Sequence, residues 1–339
     1  MYRFHRYNLI RWDISSPSVA YKLFVRGLYD YVIVKEGTSS GVTTRGYFVA
    51  AKGLETSWNN RASLTYSSDI KGRKLVNEGQ NWLAAAGRTF TGLLDTYGGA
   101  AAAYSLRLLS TDYAGNAVTV RRSSDNQTIN IGFVDGELNT GALNTFCSGA
   151  DGFVTVWHDQ SGNGNNATQS TASQQPKIFD SANGVLLQNG KPTLSFDGID
   201  DSIAMSGLAG KTRLDQYYVN TTYDNLYIYP NGNDSGNYGF VAQQGSASTV
   251  IYANYGIPVL YGNSVLMTGT TRNDVYNSLN GNKLVVQENA NTSAWAGFNF
   301  GRAGAYIDCN LQEFIAYDSN QSSNRIGIES NINDFYSIY

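Results

Sequence analysis

The chain has 339 residues, 15% of them charged and 42% hydrophobic, with a formal net charge of −3. That balance excludes a basic nucleic-acid arm and a groove that holds phosphates by charge alone, and the apolar share excludes wholesale disorder. With 36 glycines and 24 tyrosines but only 3 methionines, the composition leans toward β structure rich in turns; no apolar run approaches the length of a membrane span, and the length allows about two domains.

The N-terminus, MYRFHRYNLIRWD, is basic but has no apolar core or small-residue cleavage site of a secretory signal, so none is read there. The run from Tyr29 to Val34 reads as a strand, and EGTSSGVTTRG, from Glu36 to Gly46, reads as a turn-rich connector. A second polar stretch from Ser57 to Gly79 leads to a boundary near residues 80–90. The expected organisation is an attachment or docking region over 1–85 and a larger domain over 86–339. A region of the smaller size is marginal alone and is expected to complete its core against a partner.

Leu93–Thr96 followed by Gly98–Leu109, with four consecutive alanines, predicts a short helix, because alanine and leucine are strong helix formers and recur at three- and seven-residue spacing. Strands are predicted from residue 117 on: 117–121, 130–134 before Asp135-Gly136, 153–157, 192–196 before Asp197-Gly198, and 240–242. Residues 275–279 and 282–286 flank Asn280-Gly281, the strongest short hairpin signal. A last strand over 311–317 and a short helix carrying Ile326, Ile328, Ile332 and Phe335 close the chain. Many short strands without a period of 40–50 residues indicate a sandwich, not a propeller. Cys147 and Cys309 form no disulfide framework or metal cluster; two buried thiols are expected, and pairing is left open.

The sequence DQSGNGN, Asp159–Asn165, combines side chains that accept from backbone N–H groups two residues on with glycines that tolerate positive φ, which reads as a tight turn leaving a strand. Its polar groups make Asp159, Gln160, Asn163 and Asn165 candidate ligand contacts. Residues 217–263 are crowded with tyrosine, asparagine and glycine; tyrosine presents a flat face with a polar tip, suited to sugars and to protein interfaces. Within them the segment Pro230–Asn237 reads as an exposed recognition loop, giving Tyr229, Asn231, Asn233 and Asn237 as further candidates. Asp197, Asp200 and Asp201 offer hard oxygens for Ca²⁺ but lack EF-hand spacing; a turn capped by its own carboxylates is the alternative, and no other cofactor is expected. His5 and His158 are too few for a histidine metal site, and no P-loop, GxSxG elbow or dinucleotide fingerprint is present.

Three segments taken together carry a resemblance: TVWHDQSGNGNNATQ from Thr155, GKPTLSFDGIDD from Gly190 and LQEFIAYD from Leu311. The set resembles the concanavalin A-like (laminin G-like) lectin/glucanase superfamily, whose domains recur in phage tail and virion proteins and in bacterial adhesive or carbohydrate-active proteins. The stretch from Tyr104 to Gly162 resembles the amino-terminal half of the catalytic domain of α-L-arabinofuranosidase B. The resemblance spans roughly 91–339 and implies a mainly β, concanavalin A-like β-sandwich (jelly roll) with a small N-terminal attachment region.

Retaining glycosidases use two carboxylates about 5–5.5 Å apart. The arabinofuranosidase family places its nucleophilic glutamate in a mid-domain segment after two adjacent cysteines. This chain has neither that cysteine pair nor any glutamate between Glu137 and Glu288. Asp215, Asp224, Asp234 and Asp274 remain, but an aspartate's shorter arm displaces the carboxylate by about 1 Å. The expectation is therefore a non-enzymatic virion protein, a tail fibre, receptor-binding or head-decoration component. Residues 1–85 would contact other virion proteins, the sandwich would bind a host-surface glycan, and homo-oligomers would carry no nucleic acid or membrane contact. A glycoside hydrolase of arabinofuranosidase type and a purely architectural protein are the alternatives.

Overall fold

The computed structural model describes the backbone at 6–16, 19–26, 30–39, 42–50, 63–65, 74–75, 91–134, 136–222, 227–228, 231–232, 239–251, 256, 258–301 and 307–339. Two compact units divide between Thr89 and Phe90.

The first unit contains a five-stranded sheet. Strands Arg6–Ser16, Val19–Arg26, Asp30–Ser39 and Val42–Ala50 pair in succession as an antiparallel meander, and Lys74–Leu75 adds in parallel to the first. The Glu36–Gly46 connector is therefore corrected: both its ends are paired strand, in a register that runs to Ser39 opposite Val42. The threonines and valine in it are strand formers.

The second unit is mainly β. Its strands join a large sheet in which Gly152–Trp157, Lys177–Asp180, Leu194–Asp197, Asp308–Tyr317, Leu214–Thr222, Gly281–Ala290 and Val259–Gly262 are successive neighbours. The pairings given along this path are antiparallel. Its two halves enclose one core: Val118, Val154, Trp157 and Ile178 share it with Tyr218, Val285, Leu311 and Phe314, which makes the unit a β-sandwich. A second apolar cluster lies on the other face of the central strands. There Tyr217, Val219, Leu284, Val286, Ile315 and Tyr317 meet Ile328, Ile332 and Tyr336 of the C-terminal helix Arg325–Tyr336. The central strand Leu214–Thr222 is buried along its whole length, because alternate residues serve the two cores.

Two local expectations fail. The alanine-rich run forms only a four-residue helix, Leu93–Thr96, and then the strand Ala102–Ser105, paired with Asp308–Tyr317. All four strand residues are buried; where two cores press on one strand, alanine is chosen for size, and packing overrides helix propensity. Residues Arg272–Leu279 form a helix, not the first arm of a hairpin. Thr271 caps it reciprocally with Asp274, and Gly281, at φ +84°, turns the chain into the following strand. Cys147 and Cys309 are buried free thiols, and burial pushes the Cys147 thiol up to about 11.

Candidate functional site

The DQSGNGN turn is held by its own polar groups. Asp159 Oδ1 accepts the backbone N–H groups of Ala103 and Ser161, and Oδ2 accepts that of Asn165 and the Ser161 hydroxyl. The Gln160 amide accepts from Leu109 N–H and donates to the Ser105 and Arg107 carbonyls. Asn163 and Asn165 donate to the Ala100 and Ala101 carbonyls. The four residues thus tie the strand Ala102–Ser105 to the end of Gly152–Trp157, at a turn where Gly162 and Gly164 adopt positive φ. Of the other candidates, Tyr229, Asn233 and Asn237 lie outside the described residues, and Asn231 is described only as backbone, in a two-residue strand against Asn299–Phe300. Two tyrosines of the aromatic stretch, Tyr217 and Tyr218, are core residues on opposite faces of the central strand.

The oxygens of Asp197, Asp200 and Asp201 come within 4.8 Å of one another. Asp197 Oδ1 accepts from Ile199 and Asp200 N–H, and Asp201 Oδ2 accepts from Asp197 N–H, so these carboxylates cap their own turn. Burial first, then the charge of Asp197, raises the Asp201 carboxyl to about 7.

A second carboxylate group lies where the amino-terminal end of the helix Arg325–Tyr336 meets the sheet. Asp215 and Glu288 stand on adjacent strands, on the face that carries Tyr217 and Val286. A bulge between Leu214 and Gln216 interrupts the pairing there, and Asn289 opposite it takes φ +65°. Bulges and left-handed non-glycine residues of this kind re-aim groups at functional sites. Here Asn289 N–H is aimed at Asp215 Oδ1, 2.7 Å away. Asp215 Oδ2 accepts Gln321 N–H at 2.7 Å and Arg213 Nη2 at 2.9 Å.

Glu288 is served differently. It is 6% exposed, and its Oε1 has no hydrogen-bond partner. The closest cation, Arg325, has its Nε 3.9 Å from that oxygen, while its Nη1 is bound to both oxygens of Glu329 at 3.0 and 2.9 Å and its guanidinium lies 3.9 Å from the Tyr261 ring centre. Burial, then the charge of Asp215, holds the Glu288 carboxyl above the ordinary carboxylate range. Among the described residues seven buried side-chain polar atoms lack a partner, and three of them, Arg213 Nε, Tyr217 Oη and Glu288 Oε1, belong to this one cluster. Buried polar groups are normally satisfied, so such a concentration marks a place where the fold gives up stability.

Sequence reasoning named Asp215 only as a remaining aspartate and passed over Glu288, Arg325, Glu329 and Tyr261. A signal existed: Gln287-Glu288 interrupts the apolar alternation of Leu284-Val285-Val286, and Arg325 and Glu329 stand four apart on a helix. The other aspartates do not join this group. Asp274 is used in its capping box, and Asp224 and Asp234 lie outside the described residues.

The fold is thus a mainly β sandwich with a polar turn at one end and an under-satisfied carboxylate cluster on one face. Its sequence matches the family "alpha-L-arabinofuranosidase B, catalytic" over residues 95–186, the stretch that contains the DQSGNGN turn. A segment of 71 residues is 39% identical to the probable α-L-arabinofuranosidase B of Aspergillus terreus and 41% identical, over the same length, to that of Aspergillus clavatus. Each match covers 20% of this chain and 14% of the relative, so the chain spans about a seventh of the relatives it matches. Among solved structures, an arabinofuranosidase complexed with arabinofuranosyl-α-1,2-xylobiose superposes with TM-score 0.41 at 16% identity, over 69% of this chain and 62% of that one. A Trypanosoma rangeli sialidase superposes with TM-score 0.29 at 11% identity, over 94% and 49%.

These findings correct the functional expectation. The resemblance to the catalytic domain of arabinofuranosidase B stands, whereas the laminin G-like and virion side of it finds no support in the matches. A phage tail or head protein, its placement on a virion and the absence of enzymatic activity are all overturned by matches to fungal glycosidases. The expectation rested on the missing mid-domain glutamate. It overlooked that a fold can bring a distant glutamate to an aspartate: 73 residues of chain separate Asp215 from Glu288, yet they occupy neighbouring strands.

Proposed function

We propose that the second unit is a glycoside hydrolase of the α-L-arabinofuranosidase kind, which cleaves terminal arabinofuranosyl groups from a polysaccharide. The observation that carries this reading is the family match over residues 95–186. In the structure that segment forms the strands and the polar turn that brace the sandwich, including the tie between Ala102–Ser105 and the strand Gly152–Trp157. The carboxylate cluster at Asp215 and Glu288 supports it: two acids in unequal environments, one with its oxygens filled and one raised, with one oxygen that accepts no hydrogen bond, are the pattern that acid–base hydrolysis requires.

The test uses the full chain with 4-nitrophenyl α-L-arabinofuranoside and with arabinan. The expected result is release of nitrophenol and of arabinose, at a rate proportional to enzyme and absent with the β-D-galactopyranoside. No turnover of any arabinofuranoside overturns the reading.

A further inference from the structure

We propose that Glu288 is the proton-donating catalytic residue of this chain and that Asp215, on the adjacent strand, is its positioning residue. The assignment rests on the hydrolase reading above and deepens it.

A carboxyl that must hand a proton to a leaving oxygen needs one oxygen free of protein partners. A carboxylate whose oxygens are filled by backbone N–H groups can set a field but cannot exchange protons. Asp215 is wholly buried, with Asn289 and Gln321 N–H and Arg213 on its oxygens. Glu288 Oε1 is buried and unpartnered. The groups that face Glu288 from the packed elements are Asp215 from the central strand and Arg213 just before it, Tyr261 from the neighbouring strand Val259–Gly262, and Ser322, Arg325 and Glu329 from the helix and the turn before it. Arg325 is the cation best placed to ionise Glu288, but both Glu329 oxygens hold its Nη1, so its charge is already matched. Of these groups Ser322 is exposed, and Tyr261 and Arg325 are partly exposed. The burial and the charge of Asp215 that raise this carboxyl agree with the geometry.

The step balances. The Glu288 O–H proton passes to the glycosidic oxygen as the C1–O bond breaks and its electron pair stays on that oxygen. The sugar C1 ends bonded to the oxygen of a water, whose surplus proton returns to the Glu288 carboxylate. Glycoside and water become free sugar and alcohol.

The test compares wild type, Glu288→Gln and Asp215→Asn, each checked by thermal melt, on phenyl and 2,4-dinitrophenyl α-L-arabinofuranosides. Loss of a proton donor matters only when the leaving group is basic. Glu288→Gln should therefore lower kcat/KM about 10²–10⁴-fold on the phenyl substrate and far less on the dinitrophenyl one. Asp215→Asn should move the alkaline limb of the kcat/KM profile to lower pH, because the charge that retains the proton is gone. Equal losses on both substrates, or none, overturn the donor role while leaving the hydrolase reading intact. Should Glu288→Gln fail to fold, the Asp215→Asn limb decides, and an unmoved limb overturns the assignment. A wild type that turns over neither substrate overturns the hydrolase reading and the donor role together, and the wild-type rate alone distinguishes that case.

Discussion

Two buried carboxylates, each with an arginine beside it, lie against the same C-terminal helix, on the same face of the same sheet, and they are built to opposite ends. Glu313 is fully buried and wholly engaged: Arg107 grips it through Nε at 2.8 Å and Nη2 at 3.0 Å, the Ser105 hydroxyl donates at 2.7 Å, and the Tyr336 hydroxyl donates at 3.2 Å. Arg107 Nη1 goes on to Asn331, and its guanidinium lies 4.9 Å from the Phe335 ring centre. Glu288, toward the other end of the helix, has an arginine at 3.9 Å that is committed elsewhere and an oxygen that binds nothing. One carboxylate fastens the helix to the strands. The other is held above the ordinary carboxylate range by burial and by the charge of Asp215. Within one protein, the count of partners on a buried carboxylate separates scaffold from candidate chemistry better than its burial or the presence of an arginine does.

The comparison breaks most visibly at Glu313. Replacing it with Gln leaves the Arg107 charge buried and uncompensated, which should cost about 3–5 kcal/mol, read as a lower urea midpoint at unchanged slope. A loss below about 1 kcal/mol would remove Glu313 from its fastening role and with it the contrast. Asp159 belongs with Glu313 by the same criterion, since its four hydrogen bonds tie two strands together. Asp159→Ala should cost about 3 kcal/mol, because it strands the buried N–H group of Ala103 and the partly buried one of Asn165, and the activity that remains per folded molecule should be unchanged. If stability is kept and catalysis lost, this residue faces a ligand and partner counting has failed.

How much of this was legible beforehand follows from what each signal responds to. Strand composition and Gly-containing turns located the strands at 118–122, 152–157, 194–197 and 308–317 to within a few residues, because local sterics decide them. The C-terminal helix was legible from Ile328 and Ile332, which do face the apolar cluster. The alanine strand at 102–105 was not, since alanine's helix preference is weaker than the demand for a small side chain between two cores. The helix 272–279 was missed because Asn280-Gly281 outweighed a capping box at Thr271 that was equally readable. The candidate site was hidden for another reason: Asp215, Glu288 and Arg325 come from three separate stretches of chain, joined by strand pairing and helix docking that no local pattern encodes.

Another buried carboxylate, Asp201, sharpens the comparison with a smaller effect. Asp201 has other acids for neighbours in its own turn, and its carboxyl is raised from 3.8 to about 7. Raised folded-state affinity for a proton means that this group stabilises the fold below the unfolded value and that the contribution disappears as pH rises through about 7. Between those limits stability should fall with increasing pH. Asp201→Asn keeps an acceptor for Asp197 N–H and should remove that slope, with a gain on the order of 2 kcal/mol near neutrality. Denaturant titrations at several pH values measure it; an unchanged slope would show that Asp201 does not hold the proton.

The smallest effect is expected at Glu288 itself, and its smallness is the point. Gln has nearly the same shape, Oε1 makes no hydrogen bond that the exchange would forfeit, and burial and the charge of Asp215 already oppose the ionised form. Glu288→Gln should therefore change stability by less than about 1 kcal/mol near pH 5, against the several lost at Glu313. Because the raised carboxyl contributes most below its unfolded value and loses that contribution as pH rises through the folded one, the variant should gain on wild type with increasing pH. The same glutamate-to-glutamine change, made at the two ends of one helix, thus serves as its own control. A large loss at position 288 would mean that this carboxylate fastens the fold as Glu313 does, through partners that its unpaired oxygen gives no sign of.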